Sequence, residues 1–174
     1  MEGKVIWFFG RPCAGKTSLA NSVKNELLAQ GVKTISFDGD ELRKGINKDL
    51  GFSIADRQEN IRRAAELAAL FARKGYRVVC SFVTPTEAIR EMVHQIIGHA
   101  LTMVFVSTPL EVCMARDTKG HYKKAQAGEL ANFTGITSPF EEPRNMALAI
   151  DCGMLSLEEA TQGCMEHLLK DLRD

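Results

Sequence analysis

Residues 10–17 read Gly-Arg-Pro-Cys-Ala-Gly-Lys-Thr and fit G-x-x-x-x-G-K-[ST] without a mismatch. The run before them, residues 4–9 (KVIWFF), is continuous and apolar, as a buried parallel strand is. After them Leu19, Val23, Leu27 and Leu28 recur at helical spacing until Gly31. Strand, glycine-bearing turn and helix are therefore in register. In that setting Gly10 and Gly15 let the backbone curl so that successive N–H groups face one anion, and the helix N-terminus adds its positive dipole end. Lys16 supplies a mobile cation for the β/γ-phosphates, and the Thr17 hydroxyl is a ligand for Mg²⁺. Gly10, Arg11, Pro12, Cys13, Ala14, Gly15, Lys16 and Thr17 are the candidate phosphate-binding residues, with Pro12 removing one backbone donor from the cradle. The expected ligand is a nucleoside triphosphate.

The remaining apolar pattern keeps alternating between the two periods. Residues 32–37, 76–83 and 101–106 read as strands, and residues 147–151 as a short fifth one. Helical patterns cover residues 55–74, 86–97, 109–116 and 157–172. Strands taking turns with helices predict β-α-β units and a mostly parallel sheet covered on both faces. With the phosphate loop after the first strand, this is the three-layer α/β fold of the P-loop NTPases. At 174 residues the expectation is a single domain spanning 1–174. Residues 117–144 break the alternation: they are polar, with three glycines and two prolines and no steady period. The first part of that stretch, 116–126, sets four cations against one carboxylate, a net +3. A long basic loop inside a compact domain reads either as a lid or as a solvated surface loop.

Composition narrows the partners. Lys plus Arg and Asp plus Glu are 22 each, so the formal net charge is zero, which speaks against holding nucleic acid or an anionic membrane by bulk charge. No run of about 18 apolar residues occurs, and the N-terminal apolar segment is too short for a signal peptide. Five cysteines without a C-x-x-C pair fit small thiols in a reducing compartment, and the cytoplasm is the expected location.

Nucleotide binding does not by itself name a reaction. A guanine-reading Asn/Thr-Lys-x-Asp is missing, since Asn47-Lys48 continues directly to Asp49 and Thr118-Lys119 to Gly120-His121. A small kinase needs an acceptor pocket and a water-excluding lid. In parallel α/β sheets ligands sit beyond the strands' carboxyl ends, and there a dense polar block begins at Asp38. Asp38 is placed to bind Mg²⁺ or to take a proton from an acceptor hydroxyl. Arg43 and Arg57 are suited to a second anion, although a solvated helix face is the plainer reading of either one alone.

The block Asp38-Gly39-Asp40-Glu41-Leu42-Arg43, Gly45-Ile46-Asn47, Asp49-Leu50-Gly51-Phe52-Ser53 and Asp56-Arg57-Gln58-Glu59-Asn60-Ile61-Arg62-Arg63 closely resembles the adenylyl-sulfate kinases. The resemblance continues through Ser107-Thr108-Pro109-Leu110-Glu111, Arg116-Asp117, Lys119-Gly120-His121-Tyr122-Lys123-Lys124 and Phe133-Thr134-Gly135-Ile136 to Pro139-Phe140-Glu141, fading in the last thirty or so residues. It implies transfer of the ATP γ-phosphate to the 3′-hydroxyl of adenosine 5′-phosphosulfate, with Mg²⁺ as cofactor. It further implies that Arg43, Arg57 and Asn60 hold the phosphosulfate and ribose, and that Phe52 and Phe133 clamp the adenine, where either ring alone reads more simply as core. Val83, Thr84 and Pro85 fall beside the acceptor, Arg116 over the ATP adenine, and Lys123 on the lid. Asp38 and Lys16 are then the implied catalytic groups, together with Thr84, which stands where some members carry a phosphoacceptor serine. A homodimer is the implied assembly.

Three departures accompany the resemblance. The family's Leu-Ser-Gly in the phosphate loop is Arg11-Pro12-Cys13, its serine is Thr84, and its aromatic or His and Arg after Ser-Pro are Thr86 and Glu87. The last replaces positive with negative charge near the acceptor. A second reading is therefore a kinase of this scaffold for another nucleotide-linked acceptor, such as cytidine diphosphoramidate. A third is a nucleotide-binding regulatory domain without turnover.

Overall fold

The computed structural model describes residues 3–144, 146 and 148–170. Its centre is a parallel sheet of five strands: β1 (Val5–Phe9), β2 (Thr34–Asp38), β3 (Arg77–Phe82), β4 (Leu101–Val106) and β5 (Ala149–Ile150), in the spatial order β2-β3-β1-β4-β5. The helices are α1 (Lys16–Ala29), α2 (Gly39–Lys44), α3 (Ile54–Arg73), α4 (Glu87–Ile97), α5 (Leu110–Ala115), α6 (His121–Gln126) and α7 (Leu157–Lys170). This is the expected P-loop NTPase architecture.

β1 explains the arrangement. All five of its residues are buried because it pairs with β3 on one side and β4 on the other, and helices cover both faces. Strand side chains alternate between faces. Ile6 and Phe8 join α1, α6 and α7 in one core, while Val5, Trp7 and Phe9 join α3 and α4 in the other. A central strand of this kind has no polar face to show, hence its unbroken apolar run. On α3 the small residues Ala64, Ala65, Ala68, Ala69 and Ala72 line the sheet side and let the helix lie close.

Strand and helix boundaries move by a residue or two from expectation. The fifth strand shortens to Ala149–Ile150, position 147 lying outside the described residues; so do positions 171 and 172 of the closing helix. Two helices were not expected. The first, α2, is capped by Asp38, whose carboxylate accepts from Asp40 N. The second, α6, lies inside the expected irregular segment 117–144 and buries Tyr122 and Ala125. Both are under two turns long and mostly polar, so no apolar stripe marks them as one marks the equally short α5. Among the described residues, no helix is long and apolar enough to cross a membrane.

Candidate active site

The phosphate loop leaves β1 through Gly10 and enters α1 through Gly15. A Cβ on Gly10 would lie 2.5 Å from Val106 O, so only glycine fits where the chain passes β4. Gly15, at φ 99°, precedes α1 with no side chain capping the first turn, which leaves those N–H groups free for an anion. Thr108 Oγ1 donates to Ala14 O at 2.7 Å and Tyr122 OH to Pro12 O at 2.9 Å, so α6 and the β4–α5 turn both hold the loop. Lys16 Nζ donates to Arg11 O at 2.6 Å, and burial pulls its pKa down to about 8. Asp38 and Asp40 act on it only through space, and a buried ammonium hydrogen-bonded to a carbonyl and not held in an ion pair has the chemistry to take a polyanion. Cys13 sits at φ 60°, the left-handed region, where the family pattern has glycine.

Beside the loop, the carboxyl ends of β2 and β3 bring Asp38 and Ser81 into register. Asp38 Oδ2 accepts from Thr17 Oγ1 at 2.9 Å and from Ser81 Oγ at 2.5 Å, while Oδ1 accepts from Asp40 N at 2.9 Å. Thr17 and Asp38, expected together as Mg²⁺ ligands, are thus in contact. Their hydroxyl and carboxylate are the hard oxygen donors Mg²⁺ prefers, and that ion ordinarily takes one or two protein groups with waters and phosphates. Among the described residues no group of three or more metal-ligating side chains occurs, which is compatible with such a lean site. Ser81 was not singled out from the sequence. Its signal is a lone hydroxyl in β3 after the apolar residues Val78, Val79 and Cys80.

The arginines of the polar block separate into two kinds. Arg63 is saturated, forking onto Asp49 at 2.8 and 2.9 Å and donating to Glu59, and Arg62 forks onto Glu59. Arg43 and Arg57 instead meet neutral carbonyls. Arg43 donates to Gly51 O at 2.7 Å, and Arg57 to Phe52 O at 3.1 Å and Asn132 O at 2.6 Å. Both guanidiniums lie over the Phe52 ring, at 4.6 and 5.4 Å. Burial lowers the pKa of each, and the Arg43 charge lowers that of Arg57 further. Among the described residues neither forms an ion pair, and two neighbouring guanidiniums of that kind have the chemistry to take an anion.

The remaining expected residues are not all brought together. Phe52 is 58 % exposed, whereas Phe133 is 8 % exposed and meets Tyr122 edge-on at 4.9 Å. The two rings therefore do not form an open clamp: α6 turns Tyr122 inward and Phe133 packs on it. Asn60 is buried, its Oδ1 accepting from Asn47 Nδ2 at 2.9 Å. Thr84 is 0 % exposed, and its Oγ1 accepts from Trp7 Nε1 at 2.9 Å, so its hydroxyl is not presented to the cleft. Val83 is half-buried and Pro85 buried beside it. Arg116 reaches the phosphate loop, donating to Cys152 O at 2.7 Å beside Gly15. Lys123 is exposed on α6. Arg11 points out of its loop to Glu142, at 2.8 Å, and stacks on Phe140.

Residues 2–151 match the sequence profile of the family described as Adenylylsulphate kinase. An adenylyl-sulfate kinase of Bacteroides thetaiotaomicron is 48 % identical over 166 residues, covering 95 % of this chain and 83 % of that protein. The chain belongs to the adenylyl-sulfate kinase family. The structure of the Mycobacterium tuberculosis APS kinase CysC in complex with AMPPNP and APS superposes with a TM-score of 0.90 at 42 % identity, covering 96 % of this chain and 98 % of that one. A gluconokinase from Sinorhizobium meliloti, with a TM-score of 0.66 and 20 % identity over 99 % of this chain and 96 % of that one, shares the fold alone.

Within this kinase family the charge reversal at Glu87 has a local answer. Glu87 pairs with Arg90 at 2.7 Å, and Arg90 also donates to Glu141 O and Thr84 O. The carboxylate that departs from the family pattern is thus matched inside this chain, and Arg90 is committed to that network.

Proposed function

We propose that the protein transfers the γ-phosphate of ATP to the 3′-hydroxyl of adenosine 5′-phosphosulfate, giving 3′-phosphoadenylyl sulfate and ADP. The observation that carries this reading is the contact of the Asp38 carboxylate with the phosphate loop's Thr17, in the same polar block whose Arg43 and Arg57 donate to backbone carbonyls and not into ion pairs. A nucleophile held by those arginines and a phosphoryl donor held by residues 10–17 would meet at Asp38. Asp38 takes the proton from the 3′-hydroxyl, the freed oxygen forms a bond to the γ-phosphorus, and the bond to the β-bridging oxygen breaks as ADP leaves. Lys16 follows the charge that builds on the transferring group.

Thr17 and Asp38 would hold Mg²⁺, which when bound screens the phosphate charges. Arg43 and Arg57 hold the phosphosulfate, Asn60 and the backbone of Val83, Thr84 and Pro85 line the acceptor, and Phe52 gives its base a flat face. Phe133 would join Phe52 after leaving Tyr122. Arg116 covers the ATP base, and the segment 117–144 acts as the lid of a single domain, bringing Lys123 over the phosphates. Five free thiols fit the reducing cytoplasm, and a homodimer is the assembly we assign.

Coupled ADP release with Mg-ATP is the test, run with adenylyl sulfate and separately with cytidine diphosphoramidate. Adenylyl sulfate is expected to support turnover. Turnover only with the cytidine compound would move the acceptor, and no ADP above background with either would refute the kinase reading.

A further inference from the structure

The turn between β3 and α4 holds a conformation that its residues would not choose. Thr84 has φ 42°, in the left-handed region where a β-branched side chain is strongly disfavoured, and it is wholly buried. Such a residue persists only where its surroundings over-determine it. Here they do. Its Oγ1 accepts from Trp7 Nε1 at 2.9 Å, and Trp7 is itself fully buried on β1 and stacked on Phe82 at 4.8 Å. A buried indole N–H requires an acceptor, and Thr84 is the one it has. The left-handed residue also makes three successive carbonyls diverge to three elements. Val83 O accepts from Gly10 N at 3.4 Å, Thr84 O from Arg90 Nη1 at 3.2 Å, and Pro85 O from Glu141 N at 2.8 Å. The phosphate loop, α4 and the far end of the lid segment are thereby tied to one three-residue turn.

We infer that Trp7 is a positioning residue for the acceptor: its indole N–H latches Thr84 in the left-handed conformation and so sets the wall formed by residues 83–85. Thr84 is then an anchor and not a phosphoryl carrier, because its hydroxyl is spent inside the core. The inference rests on the reading of that turn as the acceptor wall.

Two measurements test it. The chain contains a single tryptophan, so the ¹⁵N-labelled protein gives one indole N–H resonance, which is expected to exchange slowly with solvent and to shift in Thr84→Ala. Exchange within minutes overturns the latch whether or not the protein turns over. In kinetics, Trp7→Phe keeps an aromatic ring in the core, smaller than the indole, and removes the donor. Loss of one buried hydrogen bond should raise the KM for adenylyl sulfate about five- to tenfold, with the KM for ATP changing less. Adding Thr84→Gly should lower that KM again, since glycine adopts a positive φ without being held. A merely structural role would lower Tm and give no such rescue, and an unmoved acceptor KM in folded Trp7→Phe overturns the proposal. If Trp7→Phe does not fold, Thr84→Ser against Thr84→Ala carries the kinetic test: equal acceptor KM values in the two overturn it. Absent turnover in the native chain would instead refute the functional reading.

Discussion

Lys16 is a group whose position costs the fold stability and whose consequence can be measured without an acceptor. Burial takes its pKa from the ordinary 10.5 down to about 8. At about 1.4 kcal/mol for each decade of proton affinity, holding the ammonium costs the empty protein about 3 kcal/mol at pH 7. That figure is net of the hydrogen bond the ammonium keeps to Arg11 O at 2.6 Å. The sign follows from the two pKa values. Below about 8 the side chain is charged in both folded and unfolded chains and the full cost is present. Between about 8 and 10.5 the folded chain gives up the proton while the unfolded chain keeps it, so stability rises with pH until the cost is gone. Five thiols, Cys13, Cys80, Cys113, Cys152 and Cys164, act in the opposite direction, because burial raises their pKa values and the unfolded chain ionises them first.

The informative quantity is therefore the difference between the native protein and Lys16→Met. At pH 7 the variant should be as stable as the native protein or more so, by up to about 2 kcal/mol, while losing nucleotide affinity. That advantage should shrink by about 2 kcal/mol by pH 9.5, about 4–8 °C in relative Tm for a chain this size. Thermal or urea unfolding at the two pH values measures it. Calorimetric titration of the native protein with AMPPNP at pH 8.5, in buffers of different ionisation enthalpy, should show uptake of about three quarters of a proton per nucleotide as phosphate recharges Lys16. A difference between native and variant that does not change with pH, or binding without proton uptake, would refute the argument.

Other expectations are shorter. Asp38→Asn should lower kcat about 10²- to 10⁴-fold with ATP KM within a few fold, as loss of a general base does; full turnover removes Asp38 from that role. Arg57→Leu should raise the acceptor KM about 10- to 150-fold through loss of a charge-assisted contact, while Arg62→Leu, whose charge is met by Glu59, should leave it near native. Equal effects from the two would dissolve the distinction drawn between them. Cys13→Gly should raise stability by about 0.5–1 kcal/mol, the relief of a left-handed non-glycine residue set against the entropy of a new glycine. A lower Tm in that variant would count against the strain at φ 60°.

Which of these residues could be read before folding follows from the range of the interaction involved. The phosphate loop was legible because its chemistry is local: Gly10, Gly15, Lys16 and Thr17 work at fixed spacing along one strand-turn-helix. The sheet was legible because β1, buried on both faces, can show no polar residue. Helices α2 and α6 were not, since both are short and mostly polar and show no apolar stripe, unlike the equally short but apolar α5. Ser81 and Trp7 were invisible for another reason. Each reads as ordinary strand interior, and each acquires its meaning from a group 43 or 77 positions away. The same range separates Arg43 and Arg57 from Arg62 and Arg63, four arginines of one polar block. The second pair finds Glu59 one helical turn off, and Arg63 adds Asp49, so their charge is neutralised. The first pair donates to carbonyls and lies over the Phe52 ring, with no ion pair among the described residues. A chain with equal numbers of acids and bases can therefore bind two polyanions. Its carboxylates are distributed so that, among the described residues, Lys16, Arg43 and Arg57 form no ion pair, while Arg62 and Arg63 of the same polar block are paired. Charge balance over the whole chain and charge imbalance at the site are compatible because pairing is decided by tertiary distance.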